Sequence, residues 1–275
     1  MPAFQTPEPI SLTLELGVGD ISVVASDRPD TVVEVRPSDP AKPADVAAAE
    51  QVRVDHANGV IQMRASKGWK RYSFRGGGGS IEVRIELPTG SQLRGATGVA
   101  RLRSSGTLGE CRYTTGFGDI TMEHIAGTAA LTTGTGAVRI DRIDGSATIK
   151  NVNGDTWIGE VAGDLQVKAG NGKVGVDRAR AAVTAKTANG DIHLAEVARG
   201  VVVAETACGK VDVAVVAGAA AWLDLHTGFG HVRNLLDTSH RPEPSEDTVE
   251  VRARSAFGDI TVCRADMGDR RTGAA

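Results

Sequence analysis

TGFGDITMEHIAGTAALT (Thr115–Thr132), TGTGAVRIDRIDGSATIK (Thr133–Lys150), NVNGDTWIGEVAGDLQVK (Asn151–Lys168) and AGNGKVGVDRARAAVTAK (Ala169–Lys186) run head to tail, one 18-residue pattern written four times. Further copies begin at Thr187, Thr206, Thr227 and Ser255, with the spacing loosening to 19, 21 and 28. A degenerate copy starts at Thr97, and LGVGDISV (Leu16–Val23) echoes the pattern near the amino end. A fixed short period is the mark of a solenoid. Glycines fall nine apart inside each unit, as at Gly118 and Gly127, with alternating Val/Ile/Thr runs between them. Alternation of period two predicts strands with one buried face, and glycine at the corners permits tight turns. Each unit is therefore read as two strands and two turns, one coil of a stack.

Stacked coils put equivalent residues in files about 4.8 Å apart. Ile120, Val138, Val174, Ile192, Val211, Val232 and Ile260 form one expected apolar file. Met122, Ile140, Ile158, Val176, Leu194, Val213 and Val262 form a second, and Ile125, Ile143, Val161, Val197 and Val216 a third. Helix is opposed by the glycine frequency and the β-branched content. The expected fold is all-β: a parallel β-solenoid of eight or nine 18-residue coils with an irregular N-terminal β cap.

Composition agrees. Aromatics make up only 4% of the 275 residues, as suits a narrow interior filled by Val, Ile, Ala and Thr. A net charge of −3 gives no reason to expect nucleic acid or an anionic membrane as the main partner. Cys111, Cys208 and Cys263 are far apart with no CxxC, which argues against a disulfide framework or a zinc ribbon. The opening MPAFQTPEPISLTLEL is no secretory signal, and no run reaches membrane-spanning length. The expected location is the cytoplasm.

Along the chain, strands are expected at Ile10–Leu16, Ile21–Ala25, Thr31–Arg36, Val52–Asp55, Val60–Ala65 and Ile81–Leu87, with a short helix at Ala44–Glu50 and an Asn58-Gly59 hairpin turn. Residues 1–96 are read as the cap, 97–263 as the repeats with an insertion loop at 234–248, and 264–275 as a disordered tail. The (T/N)-x-(F/N)-G-D-I pattern, the Asn153-Gly154-Asp155 and Asn189-Gly190-Asp191 turns and Phe257-Gly258-Asp259-Ile260 resemble a bacterial family of β-strand-repeat proteins labelled "putative adhesin". The resemblance implies a parallel β-solenoid and supplies no catalytic residues.

Several motifs need weighing. Gly170-Asn-Gly172-Lys-Val-Gly175 fits G-x-G-x-x-G, but a dinucleotide site needs a helix after it and none follows. Calcium rolls place Asp two residues beyond glycine, whereas here Asp follows directly and lysines interrupt the file. Asp155, Lys173, Asp191 and Lys210 alternate in sign, as do Arg142, Glu160, Arg178 and Glu196. These read as surface ladders that fix the register. Asn153, Asn171 and Asn189 form an amide ladder. Lys150, Lys168 and Lys186 form a file of like charge, either an anion stripe or long side chains fanning into water.

The segment Lys67, Trp69, Lys70, Arg71, Tyr72, Phe74 and Arg75, beside a four-glycine run, interleaves cations with aromatics and is the leading partner-binding candidate. Its alternative is a hairpin packed on the cap. Acids alternate with bases by file and the six histidines share none, so no catalytic constellation is expected. No metal and no cofactor are expected. The functional expectation is a non-enzymatic scaffold that engages a protein or another copy of itself. A carbohydrate- or anionic-polymer-binding module is the runner-up, and a glycan lyase or hydrolase the weaker third.

Overall fold

The computed structural model describes residues 2–65, 79–236 and 248–265. It is a parallel β-solenoid in which each coil supplies one strand to each of two faces. One face stacks the strands Cys111–Phe117 (β8), Ala129–Thr135 (β10), Ala147–Asn153 (β12), Leu165–Asn171 (β14), Val183–Asn189 (β16) and Gly200–Cys208 (β18). The other stacks Ile120–Ile125 (β9), Val138–Ile143 (β11), Thr156–Val161 (β13), Val174–Ala179 (β15), Ile192–Val197 (β17) and Val211–Val215 (β19). Pairing runs in steps of 18 residues from β8 to β16 and from β9 to β17, so the files read from the sequence are real neighbours. Val138, Ile140 and Ile143 are each at most 1% exposed, as are Ile158, Val161, Val174 and Val176. Each such side chain contributes about 1.5–3 kcal/mol by leaving water.

The turn between faces explains the Gly-Asp signature. Gly154 has φ +136°, and a Cβ there would fall 2.2 Å from the carbonyl oxygen of Gly136 in the preceding coil. Only glycine fits both the backbone and the spacing. Inside the turn runs a polar file that the sequence reading did not single out. Thr133 Oγ1 donates to Gly118 O (3.3 Å), Thr206 Oγ1 to Gly190 O (3.0 Å) and Ser255 Oγ to Gly209 O (3.0 Å). Asn151 takes the same place and donates to Gly136 O (3.0 Å) and Gly154 O (2.9 Å). These buried donors satisfy turn carbonyls that the ladder leaves open.

Both ends depart from chain order. Ala220–Phe229 (β20) and Val232–Asn234 (β21) come before Thr248–Phe257 (β22) and Ile260–Arg264 (β23) in the chain, yet lie outside them in the stack. β22 pairs with β18 on one side and β20 on the other, and β23 lies between β19 and β21. The expected file order therefore changes: Ile260 sits between Val211 and Val232, and the last copy in the sequence, from Ser255, belongs to the penultimate rung. The third file also shifts, because a register irregularity after Leu194 puts Val215 rather than Val216 opposite Val197.

At the amino end Ser11–Ser26 (β2) lies between Gln92–Leu108 (β7), which precedes β8 and β9, and an outer rung. That outer rung is Val60–Arg64 (β5) with Ile81–Pro88 (β6). Position 96 thus falls inside β7. Each face has eleven rungs among the described residues, not eight or nine, which is about 48 Å at a 4.8 Å spacing. Asp30–Pro37 (β3) pairs antiparallel with β6, Arg53–Ala57 (β4) with β5 through the Asn58-Gly59 turn (φ +50° and +72°), and Ala3–Gln5 (β1) with β3. The one helix among the described residues, Pro43–Glu50 (α1), starts at a proline, where a missing N–H costs nothing.

Candidate interaction surfaces

The Gly-Asp turns form a ridge down the molecule. Its outermost file is Val99, Phe117, Thr135, Asn153, Asn171, Asn189, Cys208, Phe257 and Phe229. The amide ladder is present: Asn171 Nδ2 donates to Asn153 Oδ1 and Asn189 Nδ2 to Asn171 Oδ1, each at 2.8 Å. Aromatic rings flank it. Phe117 is 58% exposed, and Phe257 and Phe229 stack at 5.0 Å with planes 5° apart.

Two positions further on, past the glycine, the acidic file works differently from the ion-pair ladder expected. Asp119 Oδ1 accepts the N–H of Ala137 (2.9 Å), Asp155 that of Lys173 (2.8 Å), Asp191 that of Lys210 (2.9 Å) and Asp259 that of His231 (2.9 Å). Each Asp thus ties the backbone of the next coil. The His231 N–H holds the Asp259 carboxyl below the usual range. The side-chain pair Lys173–Asp191 is only a long contact at 4.0 Å. In spatial order the file reads Asp191, Lys210, Asp259, His231, so the alternation continues through the rearranged end.

The second charged file holds in part. Glu160 accepts from Arg180 Nε (2.7 Å) and faces Arg178 (3.8 Å), and these arginines, Arg180 foremost, lower its pKa. Arg142 turns instead to Asp144 (2.8 Å), which also bonds His124 Nε2 (2.8 Å). Arg142 first and His124 second hold the Asp144 carboxyl low.

Lys150, Lys168 and Lys186 are register neighbours on the outer surface, and the file ends in opposite charge because Lys186 Nζ meets Glu205 at 2.7 Å. Lys67, Trp69, Lys70, Arg71, Tyr72, Phe74 and Arg75 lie outside the described residues. A groove of about 500 Å³ near the amino end is lined by Arg36, Arg84 and Arg101 together with Glu34, Glu82 and Asp20. Three of its four arginines are paired locally, Arg36 with Glu34, Arg84 with Glu86 (3.0 Å) and Arg101 with Asp20 (3.6 Å), and the fourth is Arg103. No group of three or more His, Cys, Asp or Glu that could hold a metal occurs among the described residues.

Trp157 was not flagged by the sequence reading. It lies over Gly175 in the next coil: a Cβ on that glycine would fall 2.2, 2.3 and 3.0 Å from Cε3, Cζ3 and Cδ2 of the indole. Those distances place a ring face over the glycine, and Nε1 donates to Asp177 Oδ2 (3.2 Å). The indole remains 39% exposed. A Trp with Gly at the same position of the next copy was the available signal. The thiol of Cys111 and the phenol of Tyr113, both in the core, are pushed up to about 12 by burial.

Residues 8–263 match the family described as Toastrack DUF4097. Solved structures similar to the chain include a putative adhesin from Bacteroides fragilis (14% identity, TM-score 0.42, 95% of each chain covered). Another is a putative adhesin from Parabacteroides distasonis (11%, TM-score 0.32, 94% of this chain and 95% of that one). A third is a putative cell adhesion protein from Clostridium sporogenes (11%, TM-score 0.17, 96% and 98%). At these values they say nothing of what this chain does. No curated protein matches it.

Proposed function

The chain belongs to the Toastrack DUF4097 family, and from the surfaces this fold carries we propose that it is a non-enzymatic interaction scaffold, holding a macromolecular partner along its side. The observation that carries the reading is the turn ridge. Phe117 (58% exposed) and Val152 (55% exposed) stand out from a frame in which every coil is hydrogen-bonded to the next. Apolar side chains held in water on a rigid backbone lose little entropy when a partner covers them. The partner is a protein or a second copy of the chain. The aromatic-cationic segment 67–75 is a second candidate contact on its sequence alone.

The test is affinity capture with the double variant Phe117→Ser/Val152→Ser and, separately, Trp69→Ala/Arg71→Ala. Loss of a captured partner with an unchanged circular dichroism spectrum supports the assigned surface, and equal capture by both variants removes both surfaces. The cytoplasmic setting belongs to the same proposal: exposed Cys208 suits a reducing compartment. Among the described residues, no helix is long and apolar enough to cross a membrane. Fractionation of the native cell decides.

Trp157 favours one second reading, a carbohydrate module. A flat, half-open indole flanked by Arg139 and His193 offers a face for the C–H side of a sugar and polar groups for its hydroxyls. Intrinsic fluorescence titrated with oligosaccharides, compared with Trp157→Ala, tests it; no saturable change excludes this face.

A further inference from the structure

The two ends of the stack are finished differently. At the amino end the outer rung passes its free edges to antiparallel strands, β3 on β6 and β4 on β5. At the carboxyl end β20 and β21 pair only inward, with β22 and β23, among the described residues. Leu223 and Leu225 point into the core file opposite Val251 and Ala253, yet are only half-buried where those two are fully buried. Trp222 (70%), Leu235 (63%) and Val232 (44%) add exposed apolar surface to the same rung. An unpaired edge carrying large apolar side chains invites another strand, and soluble proteins keep such edges covered.

The chain's own internal segments are poor covers. Residues 237–247 read DTSHRPEPSED, with no Val, Leu, Ile, Met, Phe, Tyr or Trp, and Pro242 and Pro244 have no N–H to donate. Residues 66–78 do contain aromatics, but the chain leaves and rejoins the stack at β5 and β6, at the far end. Thirteen residues tethered at both ends reach about 23 Å at most, against the stack's length of about 48 Å.

We propose that this rung is a homodimer interface, in which two copies meet end to end across a twofold axis and their β20 strands pair antiparallel about Leu225. The β20 sequence is self-complementary in that register. Asp224, which also meets Arg254 of its own chain at 3.4 Å, faces His226 of the other copy and the reverse, so a hydrogen bond is offered twice. Trp222 faces Gly228, repeating the indole-on-glycine packing that Trp157 and Gly175 make within the chain. Leu225 meets its own equivalent on the core side. An isologous contact uses the same patch on both copies and closes. Each copy spends its single β20 edge in that contact, so the assembly stops at two. This surface lies at the end of the stack and does not depend on what the ridge binds.

Sedimentation equilibrium on the full chain is the test, with the expected mass twice 28.6 kDa. Trp222→Glu/Val232→Glu replaces side chains that are 70% and 44% exposed on the last rung, and the circular dichroism spectrum and melt of the monomer are read beside the mass to show that the fold is kept. Its dimer dissociation constant is expected to rise about 30-fold or more, the loss typical of a central Trp. Leu225→Cys in a Cys208→Ser background checks the register, since directly opposed strand residues sit within disulfide reach. Covalent dimer on mild oxidation supports the pairing about Leu225. A wild-type chain that stays monomeric at every concentration overturns the proposal. So does a dimer untouched by the Trp222→Glu/Val232→Glu change, whereas ridge capture of a different protein is read separately with the Phe117→Ser/Val152→Ser variant.

Discussion

The acidic file on the turn ridge separates two physical accounts of register. If Asp155 and Asp191 act through side-chain ion pairs, the relevant contact is Lys173–Asp191 at 4.0 Å, with side chains 72% and 43% exposed. Such a pair is worth about 1 kcal/mol at most and is screened by salt. If they act by accepting a backbone N–H of the next coil, the contacts are 2.8 and 2.9 Å, and the lysine side chains are incidental. A bond to a charged acceptor is worth about 1.5–3 kcal/mol when buried, which half-exposure reduces to about 1 kcal/mol here.

Asp155→Ala and Asp191→Ala are therefore expected to cost about 1 kcal/mol each, and about 2 kcal/mol together, since two coils separate them. The Asn versions keep an acceptor oxygen and cost less, and Lys173→Ala/Lys210→Ala stays within about 0.5 kcal/mol of wild type. Urea unfolding read in low salt and in 1 M NaCl gives the totals. Amide exchange at Lys173 and Lys210 shows whether those N–H groups open first in the Asp variants. Equal losses from the lysine and aspartate variants, both vanishing in 1 M NaCl, would refute the backbone account. The alternation of Asp with other residues then has a cause. Each Asp serves the N–H above it, and an Asp in every coil would stack like charges at strand spacing.

Other consequences follow from single positions. Gly154→Ala places a Cβ 2.2 Å from Gly136 O at φ +136° and is expected to cost about 3 kcal/mol in a thermal melt, whereas Gly59→Ala, with open space around it, costs about 1 kcal/mol. Gly175→Ala drives the indole of Trp157 off the surface, so tryptophan emission shifts to the red while the far-ultraviolet spectrum holds. The carboxyls of Asp144 and Glu160 are held low by Arg142 and Arg180, so their contribution to stability is present above the unfolded carboxylate range and is lost as pH falls through the lowered values. Asp144→Asn/Glu160→Gln should flatten the stability curve below about pH 4 and leave it unchanged in shape near neutrality.

The repeat by itself determined which residues share a file. With a side-chain period of two in each strand and a length period of 18 in each coil, Ile140 has no place except beneath Ile158, and Asn153 none except beneath Asn171. The helix of the cap and the Asn58-Gly59 hairpin were equally local and equally legible. The order of the rungs at the two ends was not. A period says what each coil looks like and not which neighbour it takes, so once the spacing stretches to 28 the linker is long enough to skip a place. There β22 enters between β18 and β20, because filling both sides of its core strand with Val202, Ala204, Leu223 and Leu225 buries more apolar surface than an outer position. What each Asp bonds, which glycine carries an indole and which end is left open are likewise facts of contact between coils. They depend on distances across about 4.8 Å of stacking that no neighbouring letter encodes.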